Sequence, residues 1–177
     1  MARTGDGGAS GSAHAASVTG QWPAELRTNE KGPLMSEERN AATYRRWFDE
    51  GCSQGNVDLA DELYSPEYVT HALGPQFAPT LAGLKMFVRA LRDGMPDLTC
   101  PIEEVVAEGD RVAGRFSLRG THSGTLLGIP ASGKQVVAGV MVIARFDERG
   151  KWVEDWASWD QLGMLQQLGA IPAPAAA

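Results

Sequence analysis

A change of hydrophobic period midway along the chain constrains its fold more than any other feature. Up to about residue 98 the apolar residues recur mostly at helical spacing. Beyond it, segments 99–106, 111–120, 134–146 and 151–160 are β-rich and are separated by turn and loop chemistry. Glu108-Gly109-Asp110 and Asp147-Glu148-Arg149-Gly150 are short enough for hairpins, whereas the stretch from Gly124 to Gly133 reads as a longer loop. Helices followed by a run of short strands predict an α+β arrangement, with helices packed on one face of a curled, mainly antiparallel sheet. A sheet folded over helices in this way makes a cone with one open mouth.

In the first half, Ser36 is a good N-cap, and Glu37 and Glu38 suit the positive end of a helix dipole. Ala41, Tyr44, Trp47 and Phe48 share a face, so a helix is predicted from about 36 to 52. A second short helix is expected over 56–64, stopped before Ser65-Pro66, then a strand over 67–72. Thr80 caps a third helix lined by Leu81, Leu84, Phe87, Val88 and Leu91, and a last short helix follows over 161–168.

Residues 1–34 hold six glycines and little that could join a core, so they are expected to form a flexible extension. Trp22 and Leu26 are its most apolar members. The folded domain is expected over 35–170, followed by a short Pro/Ala tail at 171–177. A chain of 177 residues suits one such domain.

The longest apolar run, Val136 to Ala144, has nine residues against the roughly 18–20 of a membrane span, so no membrane partner is expected. The N-terminus lacks the apolar core of a secretory signal, which makes the cytoplasm the default compartment. A formal charge of −6 without a basic stripe argues against nucleic acid as a partner. Cys52 and Cys100 stand without a CxxC motif, so neither a disulfide framework nor a structural zinc site is indicated.

Alternation along the last strand puts Val153, Asp155, Ala157 and Trp159 on one face and Trp152, Glu154, Trp156, Ser158 and Asp160 on the other. Both sets contain tryptophan and an acid, so the pattern leaves open which faces inward.

Several motifs in order carry a resemblance. They are Tyr68-Val69-Thr70-His71, Met95-Pro96-Asp97-Leu98, Glu108-Gly109-Asp110-Arg111-Val112, Gly120-Thr121-His122-Ser123-Gly124, Gly128-Ile129-Pro130-Ala131-Ser132-Gly133-Lys134, Glu154-Asp155-Trp156 with Asp160, and Gln166-Gln167-Leu168-Gly169. Over roughly residues 36–170 the chain resembles the SnoaL-like ester and polyketide cyclases of the nuclear transport factor two superfamily. The resemblance implies a cone-shaped α+β fold, often a homodimer packed through the sheet, in a cytoplasmic protein of secondary metabolism. It also implies ring closure of a polyketide precursor by intramolecular aldol condensation, a lyase- or isomerase-type reaction without cofactor or metal.

In those cyclases an aspartate on the last strand acts as general acid/base, helped by a histidine on the preceding strand. The resemblance places these positions at Ala157 and Val142, and a first-strand asparagine at Thr70. Neither alanine nor valine can carry a proton, so ring closure here is expected to rest on a pocket that holds an apolar polyketide or polyene in a reactive shape. The competing expectation is a carrier protein that binds without chemistry.

His71 and Asp155 are the expected catalytic or orienting residues. Asp155 shares a face with Ala157, and a carboxyl in an apolar cone has a raised pKa that suits a base near neutral pH. Tyr44, Trp47, Phe87, Met141, Trp156 and Trp159 are candidates for the pocket wall, and Arg115, His122 and Asp160 for polar substrate contacts. Each polar candidate has a structural alternative: an outward ion pair for Arg115, turn stabilisation for His122, and capping of the last helix for Asp160. The histidines show no HxH or HExxH spacing, so no metal is expected.

Overall fold

The computed structural model describes residues 33–172. Most of the expected extension, with Trp22 and Leu26, therefore lies outside the described residues, as does most of the tail.

Helix α1 spans Pro33–Arg46, three residues ahead of the predicted Ser36 start. Proline favours a first turn, where its missing N–H costs nothing. The helix continues as a π-helical segment, Trp47–Ser53, which the sequence reading treated as ordinary helix. The longer helix expected over 56–64 is instead a 3-10 turn, Val57–Leu59, followed by one turn of α2, Ala60–Leu63. Strand β1 takes over at Tyr64 and runs Tyr64–Thr70. Tyr64 leaves the helix because it pairs with Trp152 and stacks on its ring, centroids 4.9 Å apart. Pro66 is tolerated because β1 is an edge strand, irregular between Tyr64 and Val69.

Helix α3, Leu81–Gly94, begins at the predicted cap, where Thr80 Oγ1 accepts the Gly83 N–H, and it buries Leu84, Val88 and Leu91. Strands β2 (Ile102–Glu108), β3 (Arg111–Thr121), β4 (Gln135–Phe146) and β5 (Trp152–Trp159) precede α4 (Gln161–Leu168). β2 starts later than the sequence suggested, with Thr99 making only a single bridge to Arg119. Gly109 and Gly150, both at positive φ, close the two hairpins.

The sheet order is β1-β5-β4-β3-β2, antiparallel throughout except for the parallel β1–β5 pair. One face packs on the helices, and the other carries Val137, Met141 and Ile143 exposed along β4. No helix among the described residues is long and apolar enough to cross a membrane.

The register of β5 corrects the face assignment. Arg145 pairs with Glu154 while Phe146 pairs with Trp152, so Val153 is an extra residue in a bulge. The bulge shifts the alternation by one, which brings Trp152 to the inner face beside Asp155, Ala157 and Trp159. Trp152 is fully buried there, stacked between Tyr44 (5.3 Å) and Tyr64 (4.9 Å) and packed against Phe146 (5.4 Å).

Candidate active site

A cavity opens between the helices and the inner face of the sheet. The centre of a water molecule can range over about 100 Å³ of it, and its atom-free space, counted out through the mouth, is about 750 Å³. The smaller figure is the one comparable with cavity volumes, and it lies below the roughly 300–1,000 Å³ range of drug-sized small-molecule sites. The π-helix contributes Trp47, Phe48 and Cys52, α3 contributes Leu84, Phe87, Val88 and Leu91, and the strands contribute Thr70, Phe116, Val140, Val142, Asp155, Ala157 and Trp159. The π-helical hydrogen bonding matters because it superposes residues five apart, bringing Cys52 onto the same cavity-facing side as Trp47. Gly51 permits this turn, since a Cβ there would lie 2.3 Å from the Trp47 ring.

Asp155 is the one lining residue that carries a formal charge, and it is 6% exposed. Its Oδ2 accepts a 2.6 Å hydrogen bond from the Tyr68 hydroxyl, while Oδ1 is buried without a partner. Burial holds the Asp155 pKa above the ordinary aspartate range, and the polar side chains of Thr70 and Tyr68 oppose that rise. Desolvation and the Asp155 charge push the Tyr68 hydroxyl well above the usual tyrosine range, so Tyr68 remains a donor. In Tyr68→Phe the carboxylate loses this donor and the Asp155 pKa moves further up. A carboxyl-carbon NMR titration of both proteins measures the move, and an unchanged midpoint would show that the hydrogen bond contributes nothing.

Of the residues expected at the site, Asp155, Trp47, Phe87 and Trp159 line the cavity. Tyr44 packs behind the wall against Trp152, with its hydroxyl buried and unpartnered. The others lie elsewhere. His71 is on the outer face of the sheet, where Nε2 meets Glu154 Oε1 at 2.9 Å and the ring stacks on Trp156 with centroids 5.2 Å apart. Trp156 (36% exposed) and Met141 (57%) also face outward. The reason is the two-residue period: Val69 and His71 alternate with the inward Tyr68 and Thr70, as Trp156 alternates with Asp155 and Ala157.

Arg115 lies on the outer face, where it forms an ion pair with Glu103. His122 is fully buried but away from the cavity, its Nδ1 accepting the Ser132 N–H at 3.2 Å to fix the loop before β4. Asp160 caps α4, its Oδ1 accepting the Gly163 N–H at 2.8 Å. Among the described residues, no three His, Cys, Asp or Glu side chains gather as a metal site.

Tyr64, Tyr68, Cys52 and Cys100 are polar groups at or beside the cavity that sequence reasoning missed. Tyr68 was legible in principle, because applying to the first strand the alternation used for the last places Tyr68 with Thr70 and His71 opposite. Ala157, Val142 and Thr70, the positions given by the resemblance, all line the cavity.

Comparison with known proteins agrees with this geometry. The family model for SnoaL-like polyketide cyclases matches residues 42–168. Among solved structures, a SnoaL-like protein from Jannaschia sp. CCS1 is 27% identical, with a TM-score of 0.69 over 82% of this chain and 100% of its own. TsrD from Streptomyces laurentii is 26% identical, with a TM-score of 0.67 over 80% of this chain and 100% of its own. IdmH from Streptomyces antibioticus, provisionally assigned as a polyketide cyclase, is 28% identical, with a TM-score of 0.64 over 73% of this chain and 98% of its own. No curated protein matches the chain.

Proposed function

The chain belongs to the SnoaL-like polyketide cyclase family, and from that premise we propose that it is a cofactor-independent, ring-forming enzyme acting on an apolar polyketide or polyene intermediate of secondary metabolism. The observation that carries this reading is a single buried carboxyl, Asp155, with one oxygen tied to Tyr68 and the other free, in an otherwise apolar cavity. A flexible guest folded in such a chamber has its two reacting ends held together, which removes part of the entropic barrier to ring closure. The ionised Asp155 accepts a proton from the guest's reacting C–H or O–H group, and the protonated form returns it after the ring closes. Tyr68 holds the carboxyl in place through the exchange.

Ala157 and Val142 cannot relay a proton, so one carboxyl and the shape of the cavity carry the reaction. That suits attack by an internal hydroxyl or cycloaddition better than a two-residue aldol relay. The lining offers no Lys, Arg or His to neutralise an anion, which favours a neutral guest. The test is to incubate the protein with linear polyketide or polyene intermediates and follow products by chromatography and NMR. Faster ring formation than in buffer is expected, and equal rates end the enzymatic reading. The loss of the family's acid/base pair favours a second reading, a carrier using the same cavity. Tight product binding without turnover, unaffected by Asp155→Asn, would select it.

We also propose that the protein acts as a cytoplasmic homodimer packed through the outer sheet face. Cross-strand pairing aligns Val106, Ala113, Ile143 and Trp156 in one row, and Met141 exposes a further apolar side chain beside it. A contiguous apolar stripe of this kind, rimmed by Arg111, Arg115, Arg145 and Glu154, matches a second copy of itself. Ile143→Asp would bury an unpaired charge there and weaken association by on the order of 100-fold or more. Analytical ultracentrifugation checks this, and an unchanged sedimentation coefficient would place the dimer seam elsewhere.

A further inference from the structure

Ring closure leaves two groups in the cavity wall unused, the thiols of Cys52 and Cys100. Both residues are buried, unbridged and line the same chamber. Two anchors hold their backbones together. The Cys100 N–H donates to Ser53 Oγ at 2.9 Å, directly after Cys52, and Arg92 Nη1 donates to the carbonyls of Cys52 and Ser53, both at 2.9 Å. The π-helical turn then directs Cys52 toward the chamber rather than around the helix.

We propose that Cys52 and Cys100 form a modification site, a cavity-wall dithiol that a peroxide converts reversibly to an intramolecular disulfide. In the first step one thiolate attacks a peroxide oxygen; the O–O bond breaks, an S–O bond forms and, with hydrogen peroxide, water leaves. In the second the other thiol attacks the sulfenic sulfur; the S–S bond forms and a second water leaves. Two thiols are oxidised by two electrons and one peroxide is reduced. The bond would join the end of the π-helix to the chain entering β2, stiffening and narrowing the chamber. Each thiol interacts with its neighbour, and Cys100 followed by burial raises the Cys52 pKa, so thiolate is scarce at neutral pH. Oxidation therefore speeds up about tenfold per pH unit between pH 7 and pH 8.5.

The inference goes beyond the ring-closing reading, and its failure leaves that reading standing, because Asp155 takes no part. The experiment treats the full chain with hydrogen peroxide at pH 8.5, followed by intact mass measurement and a tryptic peptide map without reduction. The expected product is a monomeric chain lighter by two hydrogen atoms, with a Cys52–Cys100 cross-linked peptide that dithiothreitol reverses. Its melting temperature should rise by on the order of 5 °C. Cys52→Ser and Cys100→Ser should each lose the cross-link, and if a variant does not fold, the wild-type peptide map decides by itself. Sulfinic acids on the separate cysteines, cross-links only between chains, or thiols left intact in the folded protein while the denatured chain oxidises would overturn the proposal.

Discussion

Under the ring-closing function proposed above, Asp155→Asn is expected to slow ring formation by about 10²–10⁴-fold, the range a positioned proton-transfer group supplies, while making the folded protein more stable at neutral pH. Both effects come from one environment. The carboxyl sits among aromatic and aliphatic side chains that cannot solvate charge, and the side chains of Thr70 and Tyr68, the latter's hydroxyl at 2.6 Å, compensate only in part. Desolvation raises the folded-state pKa above the unfolded value, so the folded protein binds the proton more tightly. Above the folded pKa the buried charge is a cost. As pH falls through that pKa toward the unfolded aspartate value, this cost disappears. Asparagine keeps the shape and can still accept from Tyr68, but it never carries charge. Thermal melts from pH 4 to pH 8 should therefore show the variant ahead of wild type at neutral pH, with the gap closing toward pH 4. Kinetics with a turned-over intermediate supply the other half. Wild-type rates in the variant would remove Asp155 from the chemistry, and a wild-type pH–stability curve would mean the carboxyl is not desolvated.

Trp152→Ala costs about 3–5 kcal/mol of stability, the largest loss expected from a single truncation here. The indole is fully buried and stacked face to face with Tyr44 and Tyr64, while Phe48 and Phe146 meet it at an angle. It connects α1, its π-helical extension, β1 and β4 through β5, so neighbours from four elements would lose their partner at once. They cannot all collapse into the space left behind. The orphaned indole Nε1 is removed with the ring, which recovers a small part of the loss. Urea unfolding should show a midpoint lower by more than about 1 M. A shift below a few tenths molar would mean that this cluster does not organise the core. Cavity shape would change too, because Trp152 forms part of its wall.

How much of the site could be read in advance differs residue by residue. Asp155, Ala157 and Trp159 were placed on a common face by alternation alone, since a strand's period holds wherever no residue is inserted. Trp152 was assigned to the opposite face because the Val153 bulge is invisible to a strict period of two. Chemistry and motif point to His71, but parity along β1 turns it outward against Glu154 and Trp156. Arg115, His122 and Asp160 meet partners elsewhere in the chain or one helical turn ahead, namely Glu103, Ser132 and the Gly163 N–H, although His122 Nε2 stays buried without one. Alternation along β1 gives the face of Tyr68 but not its partner, since nothing local to β1 announces that the parallel neighbour is β5 and that Asp155 lies within reach.

From the order of residues alone came the fold class, the family, the caps at Thr80 and Asp160, and the apolar character of the interior. These depend on short-range regularities: hydrophobic period, turn chemistry and motif order, all of which a linear chain displays. Tertiary structure alone decided the phase of β5, the π-helical register that turns Cys52 into the chamber, and the union of Tyr68 with Asp155. Each is set by packing between segments far apart in the chain, where a one-residue bulge or a widened helical turn reverses which side chains meet.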